Sequence, residues 1–349
     1  MTALSVRGLD VRFHGQALVT GVSFDVGAGE RVGLIGESGS GKSLTALAIM
    51  GLLGDGLAAH GHVLLDGEDL LEAPERRLCQ LRGDRIAMIF QEPATALNPT
   101  RRVGAQVVEA LRTHRGLRHR DARRAAVELL ERVELPDPAR SARLYPHELS
   151  GGQRQRVVMA MAISCCPRVL LADEPTTALD ATVQAKVIHL LDRLVDEQGC
   201  ALVLITHDLA VVSQTCDRVV TMYGGRAVES GPSAAVLDAP RHPYTAGLVA
   251  TAAAVTLDGP TPTGRLPSIP GSVPADGRFP SGCPFRDRCE RAVPRCTEVP
   301  ADRRDGERVV ACWNPVPAGA RAPAGEPGGE RPAEPGPPGP GPTGQGGPR

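Results

Sequence analysis

Four short apolar runs punctuate the chain, and each stops at a glycine or a polar residue. Val32-Gly33-Leu34-Ile35 runs into Gly36, Ile86 to Phe90 into Gln91, Val169 to Ala172 into Asp173-Glu174, and Ala201 to Ile205 into Thr206-His207. Runs this short and this apolar predict strands covered on both faces, the pattern of a parallel sheet. Between them the period lengthens to that of a helix. Val183, Val187, Leu190, Leu191 and Leu194 recur on one face of Val183 to Val195, and Gly199 supplies a stop. Leu44 to Leu53 predicts an apolar helix directly after the first run. The fold class is therefore α/β, and such sheets bind their ligands at the carboxyl ends of the strands.

The first strand-to-helix turn reads Gly36-Glu37-Ser38-Gly39-Ser40-Gly41-Lys42-Ser43. Backbone N–H groups at such a turn, aided by the helix dipole, point at an anion, and the glycines let the chain wrap a phosphate. Lys42 is then placed for the β- and γ-phosphates of ATP, and the Ser43 hydroxyl for Mg²⁺. Lys42 and Lys186 are the only lysines among 39 basic residues, so the compact ammonium stands where the loop needs one.

The other strand ends carry matching chemistry. Asp173 suits a hydrated Mg²⁺, and Glu174 can orient or deprotonate an attacking water. His207 can stabilise charge on a γ-phosphate, and the Gln91 amide can bridge metal or water. Leu149-Ser150-Gly151-Gly152-Gln153 makes a second anion site, with Ser150 as N-cap of a helical run from Gln153 to Ile163. One phosphate cannot easily occupy two helix N-termini of one small domain, so a second chain is expected.

Between Gln91 and Ser150 the chain turns helical and arginine-rich. Val103, Gln106, Val107, Ala110 and Leu111 mark one amphipathic stretch, and Ala122 to Val133 another with Asp121 as its expected cap. Arg112, Arg115, Arg118, Arg120, Arg123 and Arg124 read as a solvated face, with contact to anionic headgroups as the alternative.

Composition narrows the setting. With 349 residues the chain can bury one large core and carry an appendage, and a net charge of −1 gives no support for a nucleic-acid partner. No apolar run approaches the roughly 20 residues that cross a bilayer, and Met1 to Arg7 lacks the layout of a secretion signal. The expectation is a cytoplasmic protein, any spanning helices being supplied by other chains.

Cys79, Cys165, Cys166, Cys200 and Cys216 are scattered, mostly in apolar surroundings, whereas Cys283, Cys289, Cys296 and Cys312 share one short segment with little apolar content. Such a segment calls for a crosslink, and reducing cytosol disfavours a disulfide, which points to a metal centre. No Cys-x-x-Cys pair is present, and four thiolates suit zinc or an iron-sulfur cluster, with reduced thiols as the alternative. Arg286, Arg288, Arg291 and Arg295 would offset the negative charge of either centre.

Together these motifs resemble those of the ATP-binding cassette (ABC) family over residues 1 to about 230. Gly36 to Ser43 is similar to its Walker A, Gln91 to its Q-loop, Leu149 to Gln153 to its signature and Val169 to Glu174 to its Walker B. Ala178-Leu179-Asp180 resembles the D-loop, His207 the switch histidine, and Phe13 stands where the family stacks an aromatic ring on adenine. The resemblance implies an ABC ATPase domain over residues 1–231. It would have a RecA-like core, an antiparallel β subdomain and an inserted helical subdomain at about 92–150 that receives a coupling helix from a membrane subunit. It also implies two cassettes paired head to tail, the signature of one (Ser150, Gly151, Gly152 and Gln153) closing on ATP held by the other.

Residues 232–314, with Arg241-His242-Pro243-Tyr244-Thr245, a Pro-rich linker around Leu266 to Pro274 and the Gly-Cys-Pro-Phe segment, resemble the tail of oligopeptide and dipeptide importer ATPases and their nickel-importing relatives. There the four cysteines are associated with a [4Fe-4S] cluster. The implied protein hydrolyses ATP to energise peptide import, peripheral to the cytoplasmic face of the membrane. Its implied partners are two transmembrane permease subunits, a second ATPase, either a related chain or a copy, and, indirectly, an extracellular solute-binding protein. A nickel or other small-solute importer, an exporter and a non-transport ATPase are the alternatives. Residues 315–349 are Pro- and Gly-rich with hardly a large apolar side chain, the composition of a disordered tail.

Overall fold

A computed structural model describes residues 1–177, 179–256, 268–274 and 277–317. Ala178 of the expected D-loop, the start of the Pro-rich linker and the expected disordered tail beyond residue 317 lie outside the described residues. The strands are β1 Thr2–Phe13, β2 Gln16–Gly27, β3 Arg31–Ile35, β4 Leu57–Leu65, β5 Glu68–Asp69, β6 Ile86–Ile89, β7 Val169–Asp173, β8 Ala201–Ile205, β9 Arg218–Tyr223, β10 Arg226–Pro232, β11 Arg303–Asp305 and β12 Arg308–Val310.

They form two sheets. One is four-stranded and antiparallel in the order β2-β1-β4-β5; the other has eight strands in the order β11-β12-β10-β9-β3-β8-β7-β6. The four apolar runs become β3, β8, β7 and β6, neighbours in one parallel block. Alternation within them explains why they read as unbroken apolar runs. Leu170, Ala172, Leu202 and Leu204 face a core shared with the helices Gly151–Ile163 and Ala181–Gln198. Val169, Leu171, Val203 and Ile205 face a second core shared with β1, β2 and the helix Lys42–Ile49. With both faces covered, every position can be apolar.

Helix boundaries follow caps more than apolar stripes. The Asp180 carboxylate accepts from Val183 N at 3.0 Å and starts the helix at Ala181, two residues before its first apolar repeat, while Gly199 ends it with φ 61°. Asp121 does not cap its helix as expected. That helix runs His119–Arg132 after an extended Arg118, and Asp121 lies in its first turn, where its charge meets the positive end of the dipole. This helix packs on Val103–Arg115 through Val107, Leu111, Ala122, Ala126 and Leu130. The six arginines around the turn are exposed, as a solvated face requires.

The C-terminal segment is not the nearly core-less piece its composition predicts. It borrows apolar partners: of the five Phe, three Tyr and one Trp in the chain, Tyr223, Tyr244, Phe279, Phe285 and Trp313 all meet here. The Tyr223 ring lies 4.6 Å from Tyr244 and 5.1 Å from Phe285 between centroids. The hairpin β11–β12 also adds to the main sheet, Glu229 opposite Val310 and Ser230 opposite Val309, so the sheet runs on past residue 231. Among the scattered cysteines, Cys165, Cys200 and Cys216 are buried, burial pushing Cys200 up to about 11 and Cys216 up to about 12, while Cys79 and Cys166 are exposed.

His242 locks this lobe to β10. Its Nδ1 accepts from Tyr244 N at 3.1 Å, and the buried Glu229 carboxylate accepts from the amides of Arg241 and His242, both at 2.9 Å. Burial pushes the His242 imidazole down to about 3 from an ordinary 6.5. The unfolded chain thus takes up a proton near its ordinary value that the folded chain refuses, so stability is whole above that pH and falls below it. At pH 5 the loss from His242 alone is on the order of 2 kcal/mol, while Glu229, held above its usual range by burial, acts in the opposite sense in the window above the ordinary carboxylate value and offsets part of it. Urea unfolding followed by Trp313 emission checks this: stability should drop from pH 7 to 5, and His242→Asn should flatten the slope.

Candidate nucleotide site

Because β3, β8, β7 and β6 are parallel neighbours, their carboxyl ends bring Gly36, His207, Asp173 with Glu174, and Gln91 along one edge. Gly36 has φ 147°, and a Cβ there would run into the Met222 carbonyl; Gly41, at φ 97°, is the N-cap of the helix Lys42–Ile49. Any side chain at Gly36 would push the loop off β9. Lys42 is buried, its Nζ donating to the carbonyls of Gly36 at 2.7 Å and Glu37 at 2.9 Å and to Ser40 Oγ at 3.2 Å. Burial lowers its pKa, while Glu174, Asp173 and Glu37 pull the other way.

Ser43 Oγ donates to Asp173 Oδ1 at 3.0 Å, joining the loop to the end of β7. Asp173 is buried, which raises its pKa; the Ser43 bond and Lys42 act against that. A hydroxyl and a carboxylate in contact are two oxygen donors that can serve one Mg²⁺. Glu174 sits at φ 43°, rare for a residue with a side chain, and its amide is held by the Ile205 carbonyl at 2.8 Å. Three groups surround its carboxylate: Thr177 Oγ1 donates at 2.7 Å, Gln91 Nε2 at 3.4 Å, and His207 Nδ1 lies at 3.5 Å. His207 and Gln91 are exposed, so this carboxylate borders solvent and can address a water.

The remaining predicted residues lie apart from this edge. Ser150 caps the helix Gly151–Ile163 in a capping box, accepting from Gln153 N at 3.3 Å while its own amide donates to Gln153 Oε1 at 2.9 Å. The helix starts at Gly151, two residues before the expected Gln153. Gly151 and Gly152 face Leu179 and Val183. Asp180 is a helix cap, exposed beside them. Phe13 ends β1 with 43% of its surface exposed and its ring edge-on to His14, a free aromatic face. Contacts that sequence reasoning missed come from the C-terminal lobe: Arg288 and Tyr244 both bind Glu37. His-Pro-Tyr was visible as a motif, but no local pattern ties it to the loop.

Cys283, Cys296 and Cys312 are buried and Cys289 is half-buried. Cys283 N donates to the Cys296 carbonyl at 3.0 Å, and the four thiols lie close enough that Cys312 senses charge on the other three. Burial pushes Cys283 and Cys312 up to about 11 and raises Cys289. Among the described residues, the three-ligand set whose atoms all lie within 4.8 Å of one another is His62 and Asp69 of the antiparallel sheet with Glu72 of the turn that follows β5. No three of the cysteine sulfurs lie within 4.8 Å of one another, whereas a tetrahedral zinc with bonds of about 2.3 Å would hold its ligands about 3.8 Å apart.

Residues 19–177 match the ABC transporter family and residues 228–296 the C-terminal region of oligopeptide/dipeptide transporters. Two relatives are the probable D,D-dipeptide transport ATP-binding protein DdpD of Escherichia coli, 50% identical over 84% of this chain and 90% of its own, and the oligopeptide transport ATP-binding protein OppD of Salmonella typhimurium, 44% identical over 85% and 88%. A solved dimeric, post-hydrolysis state of an ATP-binding cassette bound to ADP and Pi aligns with a TM-score of 0.59 at 30% identity, covering 66% of this chain and 98% of that one. The cbiO1 protein of Clostridium perfringens aligns at 0.58 and 26% identity, covering 67% and 90%. The chain thus belongs to the ABC transporter family and is an ATPase that uses ATP and Mg²⁺. Its second matched region places it beside the peptide-transport members of that family. Among the described residues no helix is long and apolar enough to cross a membrane.

Proposed function

We propose that this chain is the ATP-hydrolysing subunit of a peptide importer of the oligopeptide and dipeptide kind. One observation carries the reading: an ATPase edge and an aromatic lobe of the peptide-transporter type are built on a single sheet. In this reading Gly36 to Ser43 cradle the phosphates, Phe13 stacks on adenine, Ser43 and Asp173 hold Mg²⁺ with Gln91 beside them, Glu174 activates water and His207 contacts the γ-phosphate. Ser150 to Gln153 cap a helix whose N-terminus is free for the phosphate of a second cassette, with Asp180 alongside. ATP then holds two cassettes together and hydrolysis releases them, driving a pair of membrane subunits between states. The second cassette is a related chain or a copy, and the site of action is the inner face of the membrane. Purification in detergent with two permease subunits, followed by ATP-dependent uptake of labelled dipeptide into vesicles, tests it. Uptake of nickel but not peptide would support the small-solute alternative.

An iron-sulfur centre at the four cysteines is supported by the likeness of this region to the C-terminal region of oligopeptide/dipeptide transporters and by four thiols gathered in one lobe. Such a centre would be held by Cys283, Cys289, Cys296 and Cys312 and would crosslink the lobe. Burial favours the protonated thiols of Cys283, Cys289 and Cys312, so a bound metal would displace their protons. Protein purified without oxygen should contain iron and sulfide and absorb visible light, and Cys289→Ser should lose most of all three. Colourless, iron-free wild-type protein would remove the cluster and leave the ATPase reading intact.

A further inference from the structure

Glu37, the second residue of the phosphate loop, is gripped by Arg288, 251 residues further along the chain. Nη1 donates to Oε2 at 2.7 Å and Nη2 to Oε1 at 3.1 Å, the two-pronged geometry in which arginine binds carboxylate most firmly. The guanidinium is itself anchored. Nε donates to the Pro270 carbonyl at 2.7 Å, Nη1 also reaches the Tyr223 hydroxyl at 3.2 Å, and its carbon lies 5.7 Å from the Tyr223 ring centre. The pair is largely shielded from water, with 9% of the Arg288 side chain and 27% of the Glu37 side chain exposed. A second contact meets the same loop residue: the Glu37 amide donates to the Tyr244 hydroxyl at 2.6 Å, and Tyr244 is buried.

A carboxylate in a loop that must receive a triphosphate repels its ligand unless a cation cancels it. The lobe supplies that cation and also fixes the backbone on which the carboxylate stands. We propose that Arg288 is a positioning residue for ATP binding, acting through Glu37 and assisted by Tyr244, so that the folded C-terminal lobe sets the affinity of the phosphate loop. Arg288 directly precedes Cys289, and loosening of the cysteine segment reaches the nucleotide site through one ion pair. The inference rests on the reading of Gly36 to Ser43 as the ATP site and is independent of what the cysteines hold.

Equilibrium titration of the purified full-length chain with a fluorescent ATP analogue and Mg²⁺ tests it. Arg288→Ala should weaken binding about tenfold, the weight of a charge-assisted contact, with turnover at saturating ATP little changed and the emission of Trp313 preserved. In a Glu37→Ala background the same substitution should cost nothing further, because no carboxylate remains to be cancelled. Unchanged affinity with Trp313 emission intact overturns the proposal, as does an equal loss in both backgrounds. If Arg288→Ala disrupts the lobe, Tyr244→Phe decides: it keeps the ring, removes the acceptor of the Glu37 amide, and should weaken binding about threefold, no change overturning the proposal. Lys42→Ala separates the two readings, since ATP affinity that survives it moves the nucleotide away from this loop altogether.

Discussion

Glu174→Gln is expected to cut ATP turnover by about a hundredfold to ten-thousandfold, the range lost when a positioned general base is removed. The amide keeps the shape of the side chain and its contact with Thr177, 2.7 Å away, but cannot accept a proton from water. ATP affinity should stay near that of the parent, since Glu174 touches neither Lys42 nor Ser43 in the contacts that shape the loop. With ATP bound and not consumed, two cassettes should remain paired and elute as a dimer in gel filtration. Turnover within a few-fold of the parent would take the base away from Glu174 and leave His207 as the next group to test.

The second large effect belongs to Lys42→Ala. Binding itself should weaken by about ten- to a hundredfold, the worth of losing a charged hydrogen-bond donor to phosphate. The variant also strips three loop oxygens, those of Gly36, Glu37 and Ser40, of a shared donor, so the loop loses its internal brace. Calorimetric titration with ATP and Mg²⁺ reads the loss directly. The contrast between the variants is the informative part: Lys42→Ala should act on affinity and Glu174→Gln on turnover.

Why these residues could be singled out from sequence is a matter of range. Strand ends that carry Gly36, Gln91, Asp173 with Glu174, and His207 are visible because a buried parallel strand is an unbroken apolar run, and the residue after it is where the sheet binds. The Ser150 and Gly199 boundaries were legible for a similar reason, each being set within a few residues by a cap. Asp121 misled because an acidic residue near a helix start suits both the cap and the first turn. Two features had no local signature at all. β11 and β12 are three residues each, too short for any alternation to show. The grip of Arg288 on Glu37 joins residues 251 apart, and one sequence carries no record of that distance. The same holds for the lobe's packing, in which Tyr223 and Val228 of the cassette meet Tyr244, Phe285 and Cys283 of the lobe.

Since β12 is hydrogen-bonded to β10 and the Glu229 carboxylate receives the amides of Arg241 and His242, the cassette and its appendage are joined by a backbone ladder and by a buried side chain. Neither part can melt without baring an edge of the other. Unfolding of the lobe therefore exposes β10, and a loosened appendage is expected to weaken the sheet that carries the motor.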